Sequence, residues 1–405
     1  MKMKTLFCYI VGLLLVCSCT QREGGHKVVL CIPVYGQSLA LGEEAERMTN
    51  LDSLASYAGG RIVTERLDHD FGYFDTDALK QRAKRLLHYQ KRSYELSVYT
   101  MAQRLADQTG DDTLICIFPG GQGATTLAYL NKGTTAYEKF MDDIKTACDQ
   151  AKEHGWDFVV PAICWMQGES DIANYPDTDY RELLTGIWTD MNDDIRQLTG
   201  QQDTIRFVCY QPNALTRAES FQADSNPCLE TTVPQTFVDL LRDDGRFWAS
   251  GPTYPYDCVG ERIHIDAAGQ QHIGMLAARS VLNIIRKGQR LRGLIPLETS
   301  IEGRDAIVRC HVPTPPLTLD TTQVAKADNY GFSVVTQAGR NIAQNVTLRG
   351  DTIRIACAES PEDCQVRYAV NGTPQKSGRK SGPRGNLRDA ADNWCYQFDI
   401  HIRKE

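Results

Sequence analysis

The sequence lacks any excess of basic charge. Its 44 Lys and Arg residues are outnumbered by 51 Asp and Glu residues, and the formal net charge is −7. Proteins that bind nucleic acid usually concentrate positive charge on one face, and no basic stripe stands out in this chain. The composition therefore argues against a nucleic-acid partner.

The chain also lacks internal repeats, low-complexity tracts and the composition of a disordered or fibrous protein. Hydrophobic residues make up 42% and charged residues 23% of its 405 residues, which is the balance of a globular protein. This length is enough for two or three domains with real cores, and two is our working number.

Metal-binding cysteine patterns are missing as well. The chain has 14 cysteines, but none are spaced as C-x-x-C, and no Cys/His pattern suits zinc, so we assign no metal. Several cysteines, such as Cys31, Cys116 and Cys164, lie inside apolar runs, as expected of small buried hydrophobic side chains.

Only one stretch of the chain is long and apolar. It covers residues 6–17, follows Lys2 and Lys4, and is too short for a membrane span, which is typical of an export signal. The Ser18-Cys19 pair resembles a bacterial lipoprotein signal. We therefore predict a signal peptide over residues 1–18, a lipidated Cys19 and a polar tether over 19–26.

The alternative for this segment is a cleaved secretory signal with incidental cysteines. Either way the protein leaves the cytoplasm. A lipid anchor would place it at the bacterial outer membrane or cell surface, with membrane contact through its N-terminus; without one it would be periplasmic.

Apolar runs alternate with helical periodicity from about residue 27 to residue 288. Four runs are short and apolar on both faces, as strands of a parallel sheet covered by helices are: Val28 to Val34, Thr113 to Phe118, Phe158 to Trp165 and Ile205 to Tyr210. Three-and-four spacing predicts helices between them, and a last helix from Ala267 with Asp266 as its N-cap. This alternation predicts a doubly wound α/β sheet.

Two further regions complete the organisation. Residues 43–110 are longer than a plain crossover needs and are taken as an insertion, with a helix over 79–106. Residues 300–405 show period-two patterns separated by turn residues and predict a small β-sandwich. Its loop over 373–393 is a candidate to fold back over the mouth of the first domain.

Polar or glycine-rich residues follow every predicted strand. In a doubly wound sheet the functional edge lies at the carboxyl ends of the strands, so these residues should meet there. They are Tyr35-Gly36-Gln37-Ser38, the glycine loop over 119–125, Trp165-Met166-Gln167-Gly168-Glu169-Ser170-Asp171, and Gln211-Pro212-Asn213, with Glu261-Arg262-Ile263-His264 before the last helix.

This ordered set resembles the SGNH-hydrolase superfamily. The branch it resembles most is that of the sialate O-acetylesterase-like and acetylxylan esterase-like carbohydrate esterases, over about residues 27–285. The resemblance implies a flavodoxin-like fold and a serine esterase that needs no cofactor. It implies Ser38 as nucleophile, on a strand-to-helix turn, and His264 as general base.

The third member of the triad departs from the family pattern. The family usually places Asp three residues before the His, and this sequence has Glu261 there. A glutamate can orient an imidazole equally well if the backbone accommodates its extra methylene. Asp257 is the rival for the same role.

Donors to the oxyanion are also implied by the resemblance. They are the backbone N–H of Ser38, a backbone N–H of the glycine loop at Gly121 or Gly123, and the side-chain amide of Gln167. Gln37 and Glu169 have supporting roles. Glu169 is expected to accept hydrogen bonds that hold the loops together rather than to act as a base.

The predicted function is the removal of O-acetyl groups from carbohydrate through an acyl-enzyme. Acetylated sialic acid, acetylated xylan and other acetylated glycans stay open as substrates. One alternative is a broader lipase or thioesterase of the same superfamily. The other is a glycan-binding surface lipoprotein with a degenerate esterase site. The sequence does not reveal the oligomeric state.

Overall fold

The structure of the protein is a computed structural model that describes residues 25–71, 94–174, 178–213 and 231–402. The predicted signal peptide, the lipidation site Cys19 and the middle of the 43–110 insertion lie outside these residues. Within the described ranges, no helix is both long and apolar enough to span a membrane.

A six-stranded parallel sheet forms the first domain. Three of its strands run in two pieces, with Pro33 and Pro161 in two of the breaks, because proline has no N–H for the ladder. The order across the sheet is β3, β4/β5, β1/β2, β6/β7, β8, β9. The strands are β1 Val28–Cys31, β2 Val34–Gly36, β3 Ile62–Val63, β4 Thr113–Cys116, β5 Pro119–Gly121, β6 Asp157–Val159, β7 Ala162–Met166, β8 Arg206–Gln211 and β9 Phe247–Pro252.

Helices cover both faces of this sheet. The helices are α1 Leu51–Ser56, α2 Ser97–Ala106, α3 Thr135–His154, α4 Glu169–Asn174, α5 Tyr180–Thr199, α6 Thr232–Asp243 and α7 Ala267–Ile285. Helices α3, α5 and α6 bury their apolar faces in one core cluster, while α2 and α7 pack on the other side of the sheet. The prediction of a flavodoxin-like doubly wound fold is confirmed, and the Asp266 side chain caps α7 at Gly269 N (2.8 Å).

The C-terminal part is built of antiparallel sheets, as its period-two pattern predicts. One sheet has the order β10-β11-β15-β14, another β13-β16-β18, and β12 pairs with β17. The strands are β10 Ile295–Glu302, β11 Asp305–His311, β12 Thr318–Leu319, β13 Phe332–Val335, β14 Ala343–Arg349, β15 Thr352–Cys357, β16 Gln365–Tyr368, β17 Leu387–Arg388 and β18 Phe398–His401. This arrangement fits the predicted β-sandwich, which begins a few residues earlier than expected, at Ile295.

The two domains share buried polar contacts. The Gln211 side chain, at the end of β8, donates to Gln397 O (2.8 Å) and accepts from Gln397 N (2.8 Å). Tyr254 and Tyr368 lie with their hydroxyl oxygens 3.1 Å apart. Both pairs are fully buried, so the β-domain closes over the end of the parallel sheet.

Candidate active site

The site begins where the chain leaves β2, between β5 and β7. Gly36 lies so close to β7 that a Cβ atom there would be 2.0 Å from Met166 O, and Gln37 N donates to the same oxygen (3.0 Å). This is the point at which the strand order reverses, where ligands bind in such sheets. Ser38 follows directly, buried except for a small exposed fraction.

The segment after Ser38 is a series of turns. Leu41 N (3.1 Å) and Glu43 N (3.0 Å) both donate to Ser38 O, and no regular helix follows. The predicted strand before Ser38 is present, but the predicted helix after it is wrong, because turns follow instead. The residues fold tightly because Gly42, at φ 69°, adopts the left-handed conformation and approaches Glu95 O closely.

His264 joins two loops through its imidazole ring. Its Nε2 lies 2.8 Å from Ser38 Oγ, and its Nδ1 lies 2.8 Å from Glu44 Oε2. Arg262 Nη2 donates to the other carboxylate oxygen of Glu44 at 3.0 Å. A hydroxyl, an imidazole and a carboxylate in this order form the hydrogen-bond chain of a serine hydrolase triad.

Glu44 is therefore the acidic partner that the sequence analysis missed. Its backbone is left-handed (φ 63°), which swings its side chain back toward the nucleophile's turn. Buried Glu95 holds this turn, since its backbone N–H donates to Ala45 O (2.8 Å) and its carboxylate accepts from Met48 N and Thr49 N (2.8 Å each). The one signal in the sequence is a carboxylate six residues after Ser38, at the start of the segment predicted to be an insertion.

The structure does not bring the Glu261 or Asp257 side chain to the His264 ring, whose Nδ1 is hydrogen-bonded to Glu44 instead. Glu261 accepts from Ser381 Oγ (2.7 Å) and pairs with Lys376 (3.2 Å), and Asp257 pairs with Arg379 (2.5 Å). These partners all belong to the β-domain. A hydrogen bond from Arg379 lowers the pKa of Asp257, and hydrogen bonds from Ser381 and Lys376 lower that of Glu261.

The glycine loop brings one of its glycines next to Ser38. A Cβ atom at Gly123 would lie 3.7 Å from Ser38 Cβ. In the part of the chain that the structure describes, neither Gly123 N–H nor Ser38 N–H has an acceptor. Gly121 pairs with Gly36 in the sheet, and a Cβ atom there would be 1.8 Å from Gly36 O, so this glycine permits close strand packing. Of the two glycines, Gly123 is the one next to the nucleophile.

The Gln167 side chain does not reach the oxyanion position. Its amide nitrogen donates to Thr125 O (3.3 Å) and Asp171 Oδ2 (2.5 Å), and its oxygen accepts from Tyr180 Oη (2.8 Å). Both amide hydrogens are committed and the residue is fully buried, so the predicted donation to the oxyanion is wrong. Gln167 instead ties the glycine loop to α4.

Gln37 and Glu169 hold the same loops from the other side. The Gln37 side-chain oxygen accepts from Ser170 N (3.1 Å) and lies 3.4 Å from Gly168 N. Glu169 is buried and accepts from Tyr210 Oη, while its Oε1 meets no donor among the described residues. Burial raises the pKa of Glu169 to about 7 and that of Asp171 to about 6.

Among the described residues, no three His, Cys, Asp or Glu side chains are arranged to hold a metal ion. Ser38 lies beside backbone N–H groups and the His264 imidazole, whose Nε2 can accept the proton of its hydroxyl. This arrangement can deprotonate a hydroxyl and stabilise a developing oxyanion.

Comparison with known proteins finds a family whose model matches part of the chain. Residues 78–216 match the model of a family described as carbohydrate esterase, sialic acid-specific acetylesterase. The resemblance predicted from the sequence is confirmed. The match spans about one third of the chain and contains the glycine loop and the Trp165 to Asp171 motif, but neither Ser38 nor His264.

One solved structure shares the fold at low sequence identity, and two others show a weaker structural similarity. XAC1771, a carbohydrate acetylesterase from Xanthomonas citri, has 14% identity and a TM-score of 0.62, with 92% of this chain and 80% of that chain covered. NanS has 13% identity and a TM-score of 0.46 over 65% of this chain and 99% of its own. A protein from Arabidopsis thaliana has 12% identity and a TM-score of 0.45, over 64% and 99%. No curated protein matches the sequence.

The buried carboxyl of Glu169 predicts a pH dependence of stability. Its raised pKa means that the folded state holds a proton which the unfolded state has released above about pH 4.5, so stability should fall as the pH rises toward about 7. In the wild type, the free energy of unfolding should decrease by on the order of 3 kcal/mol over this pH range because of Glu169. In Glu169→Gln this decrease should be absent. The check is the free energy of unfolding between pH 5 and 8, with exposed Glu153→Gln as control. An unchanged pH slope in Glu169→Gln would contradict this account.

Proposed function

We propose that the protein is a serine esterase that removes O-acetyl groups from carbohydrate through an acyl-enzyme. The observation that carries this proposal is the hydrogen-bond chain from Ser38 through His264 to Glu44, at 2.8 Å for each bond. The family match and the shared fold support a carbohydrate esterase. The triad supports catalysis rather than binding alone.

In the proposed mechanism, His264 Nε2 takes the proton of Ser38 as its oxygen attacks the acetyl carbonyl carbon. The backbone N–H groups of Ser38 and Gly123 donate to the oxyanion, and Glu44 stabilises the imidazolium and fixes its tautomer. The imidazolium then gives its proton to the leaving sugar oxygen, which leaves an acetyl group on Ser38. A water molecule, deprotonated by His264, releases acetate and restores the serine hydroxyl.

Two exposed side chains close in sequence to site residues fit a sugar ring. Tyr129, four residues after the glycine loop, is 65% exposed, and Ile263, next to His264, is also exposed. Single apolar side chains on polar loops can pack against the C–H faces of a sugar ring. The family is described as specific for sialic acid and the Xanthomonas structure as a carbohydrate acetylesterase, so acetylated sialic acid and another acetylated glycan are both proposed substrates.

The alternative of a degenerate esterase site loses its main support. It rested on the absence of an aspartate three residues before His264. Because Glu44 occupies the position of the acid, the triad does not depend on residue 261.

Hydrolysis of p-nitrophenyl acetate beside p-nitrophenyl octanoate tests the proposal on protein without the signal segment. We expect turnover of acetate, little of octanoate, and loss of nearly all turnover in Ser38→Ala. Preference for octanoate would favour the lipase or thioesterase alternative. Wild-type rates in Ser38→Ala would exclude the mechanism. If turnover depends on Ser38, rates on acetylated sialic acid and on acetylated xylan will show which of the two is the better substrate.

The role of Glu44 predicts a second result. Glu44→Gln keeps the size of the side chain but removes the charge that stabilises the imidazolium, so kcat should fall by about 10² to 10⁴ with little change in KM. The control is Glu46→Gln, two residues after Glu44, whose side chain is exposed and whose backbone forms a β-bridge with Tyr94. Equal kcat in the two variants would remove Glu44 from the triad.

We also propose that the protein is exported and anchored by a lipid on Cys19. The support is the sequence alone: a charged start, a short apolar segment and a small residue before the cysteine. We expect full-length protein in the membrane fraction of a bacterial host, and Cys19→Ala in the soluble or unprocessed fraction. Membrane association that does not depend on Cys19 would contradict the anchor.

A further inference from the structure

Two loops from different domains dock on each other beside the triad. The histidine loop, residues 256–266, carries His264, and the basic loop, residues 376–381, belongs to the β-domain. Ser377 N donates to Glu261 O (2.9 Å), and Arg379 N donates to Tyr256 O (3.0 Å). The two backbones are therefore joined at both ends of the contact.

Ion pairs between side chains also join the two loops. Asp257 pairs with Arg379 (2.5 Å) and Lys380 (3.1 Å), and Glu261 pairs with Lys376 (3.2 Å). Two acids face three bases across the domain boundary. These side chains are partly exposed, so each pair alone is worth little, but a network that shares its partners loses less conformational entropy for each pair.

The packing between the two loops is tight at one glycine. Gly378 has φ 86°, and a Cβ atom there would lie 2.9 Å from Tyr256 O and 3.1 Å from Cys258 N. The basic loop is itself held from behind, because Ala325 N donates to Arg379 O (3.0 Å) and Thr373 N to Ser381 O (2.7 Å). The β-domain thus presents a fixed surface to the histidine loop.

The docked part of the histidine loop is linked directly to His264. Val259 N donates to His264 O (2.8 Å), Asp266 N donates to Asp257 O (2.9 Å), and Cys258 forms a β-bridge with Ile265. Residues 257–259 and 264–266 therefore form two arms of one hairpin. A shift of the first arm moves the backbone of His264.

We propose that the basic loop of the β-domain positions His264, and that Asp257 and Glu261 are positioning residues that act through this contact. This inference rests on the proposed esterase function. The β-domain would then set the distance between the imidazole and Ser38. Misplacement of a catalytic group by about 1 Å costs up to about 100-fold in rate, while substrate contacts elsewhere are kept.

The test compares full-chain variants of the basic loop with matched variants elsewhere in the β-domain. Lys376→Ala with Arg379→Ala removes two of the three basic side chains in the contact and leaves Lys380 beside Asp257. Gly378→Ala forces the two loops apart. Arg340→Ala removes an exposed ion pair with Glu359 in the same domain. Gly339→Ala introduces a Cβ at a similar positive φ (78°) where no atom lies within 4 Å.

We expect both basic-loop variants to lose about 10- to 100-fold in kcat on p-nitrophenyl acetate, with KM within about twofold of wild type. Both controls should keep wild-type kcat. Arg379→Lys keeps the positive charge at this position and should therefore retain most of the wild-type kcat. If the double variant does not fold, Arg379→Gln alone is measured instead. Lower thermal stability with unchanged kcat would show a purely structural contact and overturn the proposal.

A readout without turnover separates this inference from the proposed function. The Nδ1–H proton of His264, hydrogen-bonded to Glu44, should give a downfield NMR resonance that weakens in the basic-loop variants and persists in the controls. If wild type shows no Ser38-dependent turnover but the resonance responds, the esterase proposal fails and the positioning inference stands. If neither the resonance nor kcat changes in the basic-loop variants, the positioning inference is overturned.

Discussion

The imidazole of His264 is the contact on which the site depends. Its two nitrogens are hydrogen-bonded to Ser38 and Glu44, which lie 226 and 220 residues earlier in the chain. Hydrogen bonds of this kind weaken within a few tenths of an ångström, so the backbone around both loops must be fixed. The close packing of Gly36 on Met166, and the bonds that Glu95 makes to the turn after Ser38, serve this requirement on the nucleophile's side.

The sheet and the position of Ser38 at its edge could be predicted because their signals are local, whereas the role of His264 was implied by the family resemblance. An apolar run marks a buried strand, and the polar residue that ends it lies at the functional edge whatever the rest of the chain does. Asp266 caps α7 for the same local reason, since the side chain and the N–H it accepts are three residues apart. The β-sandwich could be predicted because the alternation of apolar and polar residues can be recognised within each single strand.

The acid, and the loss of Gln167 as an oxyanion donor, could not be predicted in this way. Glu261 has the sequence spacing of an orienting acid, but its side chain is claimed by Lys376 and Ser381, about 120 residues later. Gln167 has the residue type of an oxyanion donor, but Asp171 and Thr125 take both its hydrogens. The partners of Glu261 and the Thr125 carbonyl are distant in sequence, while Asp171 lies only four residues from Gln167. No periodicity in the sequence marks any of these polar pairings.

The origin of the acid changes how the site is assembled. Ser38 and Glu44 share one short turn, so their relative position is set within seven residues by local hydrogen bonds to Ser38 O. If the acid came from residue 261, it would move with His264, and both would have to find Ser38 together. With Glu44 as the acid, assembly reduces to placing one imidazole against a preformed pair. The carboxylates at 257 and 261 are then free to hold the histidine loop against the β-domain, which is where the structure has them.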